Sequence, residues 1–177
     1  TNPQLRTTTI KTWLDWFPEE EWGRFQWSVP YTHKISKGDI ELEVIFLALD
    51  RPEDVKKLLS LELTGVWINE AREIPKSIVD ACSMRVGRYP SMRDGGPSWY
   101  GVIADTNPPD TDHWWAILAG ETVIPDYITK QEAKMLIKPD NWKFFNQPPA
   151  MLEMKNKDNE VDGYDINNKS ENQKNLT

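Results

Sequence analysis

Two apolar runs of the sequence end in side chains that can hold water and phosphate. The first run, GVWI at 65–68, is followed by Asn69 and Glu70. The second run, YGVIA at 100–104, is followed by Asp105, Thr106 and Asn107. A carboxylate beside an amide and a hydroxyl can bind a water molecule, accept its proton and respond to the group that the water attacks. This combination is typical of a nucleotide hydrolase.

The spacing of the two runs suits a strand-helix-strand unit with a long loop. Ligands of open parallel sheets bind beyond the carboxyl ends of the strands, so neighbouring strands would bring Glu70 and Asn107 to one edge. A second interpretation is that these residues only begin loops, because Asn and Thr also cap helices and turns.

Helical and strand patterns alternate along the chain. The patterns predict helices over 3–17, 51–60 and 75–84, strands over 25–29, 39–49, 65–69 and 142–150, a further apolar run from residue 100, and a loop over 85–98. Strands that are apolar throughout are covered by helices on both faces. We therefore expect an α/β fold with a layered sheet that is parallel at its centre.

Composition excludes several classes of protein. The 177 residues suffice for one domain, and 38% hydrophobic residues with nine tryptophans exclude a disordered chain. A net charge of −7 gives no global basic field for nucleic acid, although a local patch suffices for binding. The single cysteine, Cys82, leaves no internal disulfide, which fits a reducing compartment. No apolar stretch is long enough to span a membrane, and no signal-peptide pattern is present.

The segment TGVWINEAREIPKSIVDACSMRVGRYPSMRDGGPSWYGVIADTNPPDTDHWW resembles the ATPase domain of the large terminase subunit of tailed bacteriophages, the motor that packages viral DNA. The likeness extends over residues 1–177 and is strongest from Asp39 to Trp115. It implies a P-loop NTPase-like sheet, truncated at its N-terminus. It also implies a partial ATPase domain over 1–154 and a linker or tail over 155–177 that leads toward a nuclease domain.

The resemblance implies a role for each polar residue at the strand ends. Glu70 matches the catalytic carboxylate of the Walker B motif, which activates water for attack on the γ-phosphate of ATP. Asn69 stands where the family usually has Asp, and it would assist Mg²⁺ through a water molecule. Thr106 and Asn107 fall on the motif that couples the state of the nucleotide to moving parts.

The resemblance also implies partners and a location. These are double-stranded DNA, a portal protein, a small terminase subunit and further copies of the chain in a ring, in the cytoplasm of a bacterial host. The sequence contains no G-x-x-x-x-G-K-[ST] phosphate loop. In the family that loop precedes the segment that Thr1 begins, so we expect residues 1–177 alone not to hydrolyse ATP.

Three arginines are candidates for an arginine finger or a DNA contact, namely Arg51, Arg85 and Arg88. Surface arginines without such a role are the alternative. The two histidines, His33 and His113, lie far apart without a cysteine partner, which disfavours a zinc site.

Other functions remain open from the sequence. One is a different P-loop motor such as a helicase, which would separate strands rather than translocate duplex DNA into a capsid. Another is a non-catalytic, aromatic-rich module that binds sugar or peptide. Such modules are usually β-sandwiches, which the interior helices disfavour. Trp114 and Trp115 either pack the sheet or transmit motion to a neighbour.

Overall fold

The computed structural model describes residues 2–49 and 51–167. The chain divides into two compact units, the first ending at Pro125 and the second beginning at Asp126. The helices are α1 (Asn2–Gln4), α2 (Ile10–Trp16), α3 (Glu19–Trp22), α4 (Val55–Leu59), α5 (Lys76–Ser83), α6 (Trp114–Ala119) and α7 (Lys130–Met135). The strands are β1 (Phe25–Gln26), β2 (Tyr31–Lys37), β3 (Ile40–Phe46), β4 (Gly65–Ile68), β5 (Gly101–Ala104), β6 (Met151–Lys155) and β7 (Val161–Ile166).

The N-terminal helical segment packs on an antiparallel sheet of order β1-β2-β3. A π-helical turn, Leu5–Thr9, joins α1 to α2, so the helix predicted over 3–17 is confirmed as a continuous helical stretch ending at Trp16. Ile10, Phe25 and Tyr31 form its buried cluster. Helical spacing places Leu5 and Leu14 on the same side as Ile10, where both contact that cluster.

Strand β2 was not predicted, and its burial explains why. Its buried residues include Thr32 and His33, so the sequence lacks the period-2 apolar alternation that marks a half-buried strand. The strand predicted over 39–49 is confirmed as β3, but its partner is β2 and the pairing is antiparallel. The short strand predicted over 25–29 is confirmed as the two residues of β1.

Strands β4 and β5 are parallel and in register, with Gly65 opposite Gly101 and Ile68 opposite Ala104. The helix predicted over 75–84 is confirmed as α5, which Pro75 precedes. Its buried residues are Ile78, Val79, Ala81 and Cys82. Burial raises the pKa of the Cys82 thiol to about 11, so the thiol stays protonated at neutral pH and is a poor nucleophile.

The other helices of the first unit are short. The helix predicted over 51–60 is confirmed as a 3₁₀ turn, Pro52–Asp54, followed by α4. A 3₁₀ turn, Ala71–Glu73, follows β4, and another, Met92–Asp94, lies within the predicted loop.

The second unit contains α7 and an antiparallel hairpin, β6–β7. The strand predicted over 142–150 is wrong, because the described chain is irregular there and β6 begins only at Met151. Pro148 and Pro149 have no backbone N–H for a strand ladder, which accounts for the difference. Strand β7 lies within the stretch assigned to a tail from residue 155, and residues 168–177 of that stretch lie outside the described residues.

The chain is therefore mixed α/β, and within the described residues its sheets have two or three strands and include one parallel pair. The larger P-loop-like layered sheet stays a prediction. Among the helices of residues 2–49 and 51–167, none combines the length and apolar character needed to cross a membrane.

Candidate functional site

The candidate site lies where the parallel pair ends. Hydrogen bonding continues one step beyond the strands, because the Asp105 amide donates to the Ile68 carbonyl at 3.1 Å and the Ala71 amide donates to the Asp105 carbonyl at 2.9 Å. The segments that leave the two strands are thus tied together before they diverge. This places Glu70 directly opposite the segment that follows β5.

Glu70 has a left-handed backbone conformation, with φ of 55° and ψ of 56°. A non-glycine residue rarely adopts this region, where strain costs about 1–3 kcal/mol and persists only if the surroundings impose it. The next residue, Ala71, is fully buried and begins the 3₁₀ turn Ala71–Glu73. The structure therefore turns the chain sharply at the residue that carries the carboxylate.

The two residues predicted to share this edge do meet. The Asn107 amide Nδ2 donates to Glu70 Oε1 at 3.4 Å, a long and solvent-exposed hydrogen bond. One carboxylate with one weak partner at an open edge retains acceptor positions for water or a ligand. This arrangement is suited to a general base that must exchange partners.

Thr106 connects the same two segments through its hydroxyl. Its Oγ1 accepts from the Arg72 amide at 3.2 Å and donates to the Asn107 carbonyl at 3.1 Å. Asn69 is exposed, and no hydrogen bond of its side chain joins it to another described residue. The structure thus pairs the Thr106 hydroxyl with the Arg72 amide and not with Asn69.

Two contacts at this edge were missed by the sequence analysis. The Trp67 indole Nε1 donates to Asp105 Oδ1 at 2.6 Å, which joins β4 to the residue after β5. Trp67 pairs with Ile103, and Asp105 lies two residues further along, so period-2 alternation could have placed them on one face. The Arg72 Nη1 donates to the Pro108 carbonyl at 3.4 Å.

Helix α6 also contacts the turn after Glu70. The His113 Nε2 lies 3.0 Å from the Arg72 carbonyl, and the Trp114 Nε1 donates to the Ile74 carbonyl at 3.2 Å. These contacts were not predicted, because they join residues about 40 positions apart through main-chain carbonyls that no sequence pattern marks. The only local signal is the position of His113 immediately before an apolar helix.

The structure does not link the three candidate arginines to Glu70 by any hydrogen bond or ion pair among the described residues. Arg85 Nε donates to the Leu58 carbonyl at 3.1 Å, and Arg88 Nε donates to the Met84 carbonyl at 3.1 Å. Both guanidinium groups thus bind the C-terminal ends of helices. Arg51 is exposed and precedes the turn that leads into α4.

The donor set at the edge determines which metal it could hold. Within residues 2–49 and 51–167 there is no cluster of three or more His, Cys, Asp or Glu side chains suited to a metal ion. Mg²⁺ commonly takes only one or two carboxylates and completes its shell with phosphate oxygens and water. Glu70 supplies one carboxylate and Asn69 one amide oxygen after β4, a donor set that would leave most coordination positions of a Mg²⁺ ion to phosphate and water.

Comparisons of the chain with protein-family models, with curated proteins and with solved structures found no match.

Proposed function

We propose that this chain is part of an ATPase motor that translocates double-stranded DNA into a viral capsid, as the large terminase subunit does. One observation supports the chemistry most directly, the meeting of Glu70 and Asn107 at the carboxyl end of a parallel strand pair. The resemblance of residues 39–115 to the terminase ATPase domain supports the biological role. Function cannot follow from the fold class alone, so the proposed chemistry rests on this edge and the proposed role in packaging rests on the resemblance.

In this proposal Glu70 orients a water molecule and accepts its proton while that water attacks the γ-phosphate. Asn107 holds the carboxylate through a weak hydrogen bond, which is easily exchanged when a phosphate arrives. Thr106 ties Asn107 to the turn after Glu70, so a shift of either segment reaches the other.

ATP and Mg²⁺ are the expected cofactors, and Mg²⁺ would neutralise charge on the phosphates. Asn69 and Glu70 would hold it from one side, with Asn69 acting through water. Since the 177 residues contain no phosphate loop, that loop must come from chain outside these residues. The remaining expected partners are a portal protein, a small terminase subunit and further copies in a ring, in the cytoplasm of a bacterial host.

The test uses Glu70→Gln in a longer protein that carries this sequence together with a phosphate loop. The amide keeps the shape of the side chain and loses its basicity, so turnover of Mg-ATP should fall by several orders of magnitude while ATP binding is retained. Glu73→Gln is the matched control, since it removes the same charge from the same turn. Near-normal turnover by Glu70→Gln would refute the assignment of Glu70.

The role in packaging needs a separate measurement. A longer protein with the proposed role binds duplex DNA and drives it into capsids that carry its own portal. Strand separation without packaging would indicate a helicase instead. The 177-residue chain alone should release phosphate from Mg-ATP at the background rate, with or without duplex DNA.

A non-catalytic binding module is the second candidate, and one surface favours it. The outer face of β4–β5 exposes Trp67, Trp99 and Ile103, each more than half accessible to solvent. The Trp99 ring lies so close to Gly65 that a Cβ there would be 2.6 Å from it. Glycan or peptide binding that Trp99→Ala abolishes, with no nucleotide binding by the longer protein, would establish this candidate.

A further inference from the structure

The turn that follows Glu70 is held from outside by side chains at the start of helix α6. His113 bonds to the Arg72 carbonyl at 3.0 Å, and Trp114 donates to the Ile74 carbonyl at 3.2 Å. Both bonds reach main-chain carbonyls within four residues of Glu70. They restrain the backbone of the turn whatever its side chains do.

The two bonds of His113 define which ring nitrogen carries the proton. Its Nδ1 accepts from the Trp115 amide at 3.1 Å, as the N-cap of α6. Nε2 therefore carries the proton and donates a hydrogen bond to the Arg72 carbonyl. One imidazole thus ties the first turn of α6 to the turn after Glu70.

Helix α6 is a firm support for this contact. Its Ala116, Ile117 and Leu118 are buried in the first unit. The left-handed backbone of Glu70, by contrast, is a conformation that the residue would not keep by itself. The strained backbone of Glu70 can persist because helix α6 is fixed by its buried residues and in turn restrains the 3₁₀ turn that follows Glu70.

We propose that His113 is a positioning residue for Glu70. By donating to the Arg72 carbonyl from the N-terminus of α6, it fixes the turn that sets the direction of the Glu70 carboxylate. The consequence for catalysis rests on the proposed function, but the mechanical role does not. The competing explanation is that His113 only caps α6.

Two substitutions separate these explanations, because each preserves one bond of the imidazole. His113→Asn places an amide oxygen near the position of Nδ1, so it keeps the helix cap and loses the donor to Arg72. His113→Gln places an amide N–H near the position of Nε2, so it keeps the donor to Arg72 and loses the cap. If His113 only caps α6, His113→Asn should disturb the turn after Glu70 less than His113→Gln does. If His113 positions that turn, His113→Gln should disturb it less than His113→Asn does.

Amide hydrogen exchange of the 177-residue chain, resolved by NMR, measures the mechanical role directly. The amides of residues 71–74 are all hydrogen-bonded, to Asp105, Thr106, Glu70 and Ala71 in order. Loss of one supporting bond should speed their exchange about fivefold to tenfold in His113→Asn. In His113→Gln the exchange rate should stay within about twofold of the wild-type value.

Trp67→Phe is the control at the same edge, because it deletes an indole hydrogen bond to the side chain of Asp105 and leaves the Asp105 carbonyl, which accepts from the Ala71 amide, in place. Its exchange rates at 71–74 should stay close to those of the wild type. If His113→Asn leaves these rates unchanged, or if His113→Gln raises them as much as His113→Asn does, the positioning role is refuted.

The catalytic consequence is read in the longer ATPase. His113→Asn should lower kcat about tenfold with an unchanged KM for ATP, whereas His113→Gln should retain most of the wild-type kcat. If Glu70→Gln is inactive but His113→Asn has a normal kcat, the positioning role fails while the proposed function stands. If Glu70→Gln is fully active, the assignment of Glu70 as the catalytic base fails, and the exchange rates still decide whether His113 holds the turn.

Discussion

The left-handed backbone of Glu70 makes a prediction about stability that is opposite in sign to the usual effect of glycine. At most positions Glu→Gly destabilises a protein, because glycine loses more conformational freedom on folding, by about 0.5–1 kcal/mol. At Glu70, with φ of 55°, glycine removes backbone strain of about 1–2 kcal/mol. The long, exposed bond to Asn107 contributes little, so Glu70→Gly should raise the free energy of unfolding by about 0.5–1 kcal/mol.

Glu73→Gly is the matched comparison, since Glu73 belongs to the 3₁₀ turn after Glu70 and has negative φ. It should lower the free energy of unfolding by about 0.5–1 kcal/mol, so the two variants should differ by about 1–2 kcal/mol. Urea unfolding followed by tryptophan fluorescence reports on the first unit, because every tryptophan except Trp142 precedes Pro125. With a slope of about 2 kcal/mol/M, the two midpoints should differ by about 0.5–1 M.

The reasoning fails if both variants destabilise the chain to the same extent. Glu70 would then have ordinary backbone geometry, and no strain would need to be imposed on it by the surrounding contacts. The opposite outcome, a stabilised Glu70→Gly chain, would show that glutamate is kept here at a cost in stability. Such a cost is typical of residues retained for function.

Two further predictions concern buried groups. His33 is fully buried, accepts a hydrogen bond from Trp13 Nε1 at 2.9 Å and bonds to the Gly23 carbonyl at 2.9 Å. His33→Leu should leave both partners without a hydrogen bond and lower the free energy of unfolding, measured by urea titration, by about 2–4 kcal/mol. A loss under about 0.5 kcal/mol would contradict this network. Burial raises the pKa of Cys82 from 9.0 to about 11, so its contribution to stability is complete below pH 9 and is lost as the pH rises toward 11. Unfolding measured across that range should show a steeper decline for the wild type than for Cys82→Ala, and equal slopes would contradict the assignment.

The elements that the sequence predicted best are those whose signal is local. Strand β4, helix α5 and the run that becomes β5 are short apolar segments bounded by glycine, proline or polar residues. The parallel pairing of β4 with β5 was expected from the strand-helix-strand order, and the expected meeting of Glu70 and Asn107 followed from that pairing. The argument from strand ends needed only the strand-helix-strand spacing and the rule that ligands of parallel sheets bind beyond the carboxyl ends of the strands.

The features that escaped prediction depend on tertiary contacts. His33 in strand β2 looks like a surface residue in the sequence and is buried only because Trp13 and Gly23 satisfy both ring nitrogens. The β6–β7 hairpin has apolar residues that remain exposed on its strands, so no alternation separates an inner from an outer face. Its turn does carry a local signal, since Asn159 has φ of 64° and asparagine tolerates that region.

The contacts around Glu70 divide into two kinds, and the division bears on what the residue can do. Its backbone turn is held by four groups from the segment after β5, supplied by Asp105, Thr106, His113 and Trp114. Its carboxylate has one long, exposed hydrogen bond. A fixed backbone with a weakly held carboxylate is poorly suited to a structural ion pair, which needs close and well-formed partners. It is well suited to a base that is aimed by its surroundings and completed by water and a ligand, because positioning then costs nothing further when the ligand arrives.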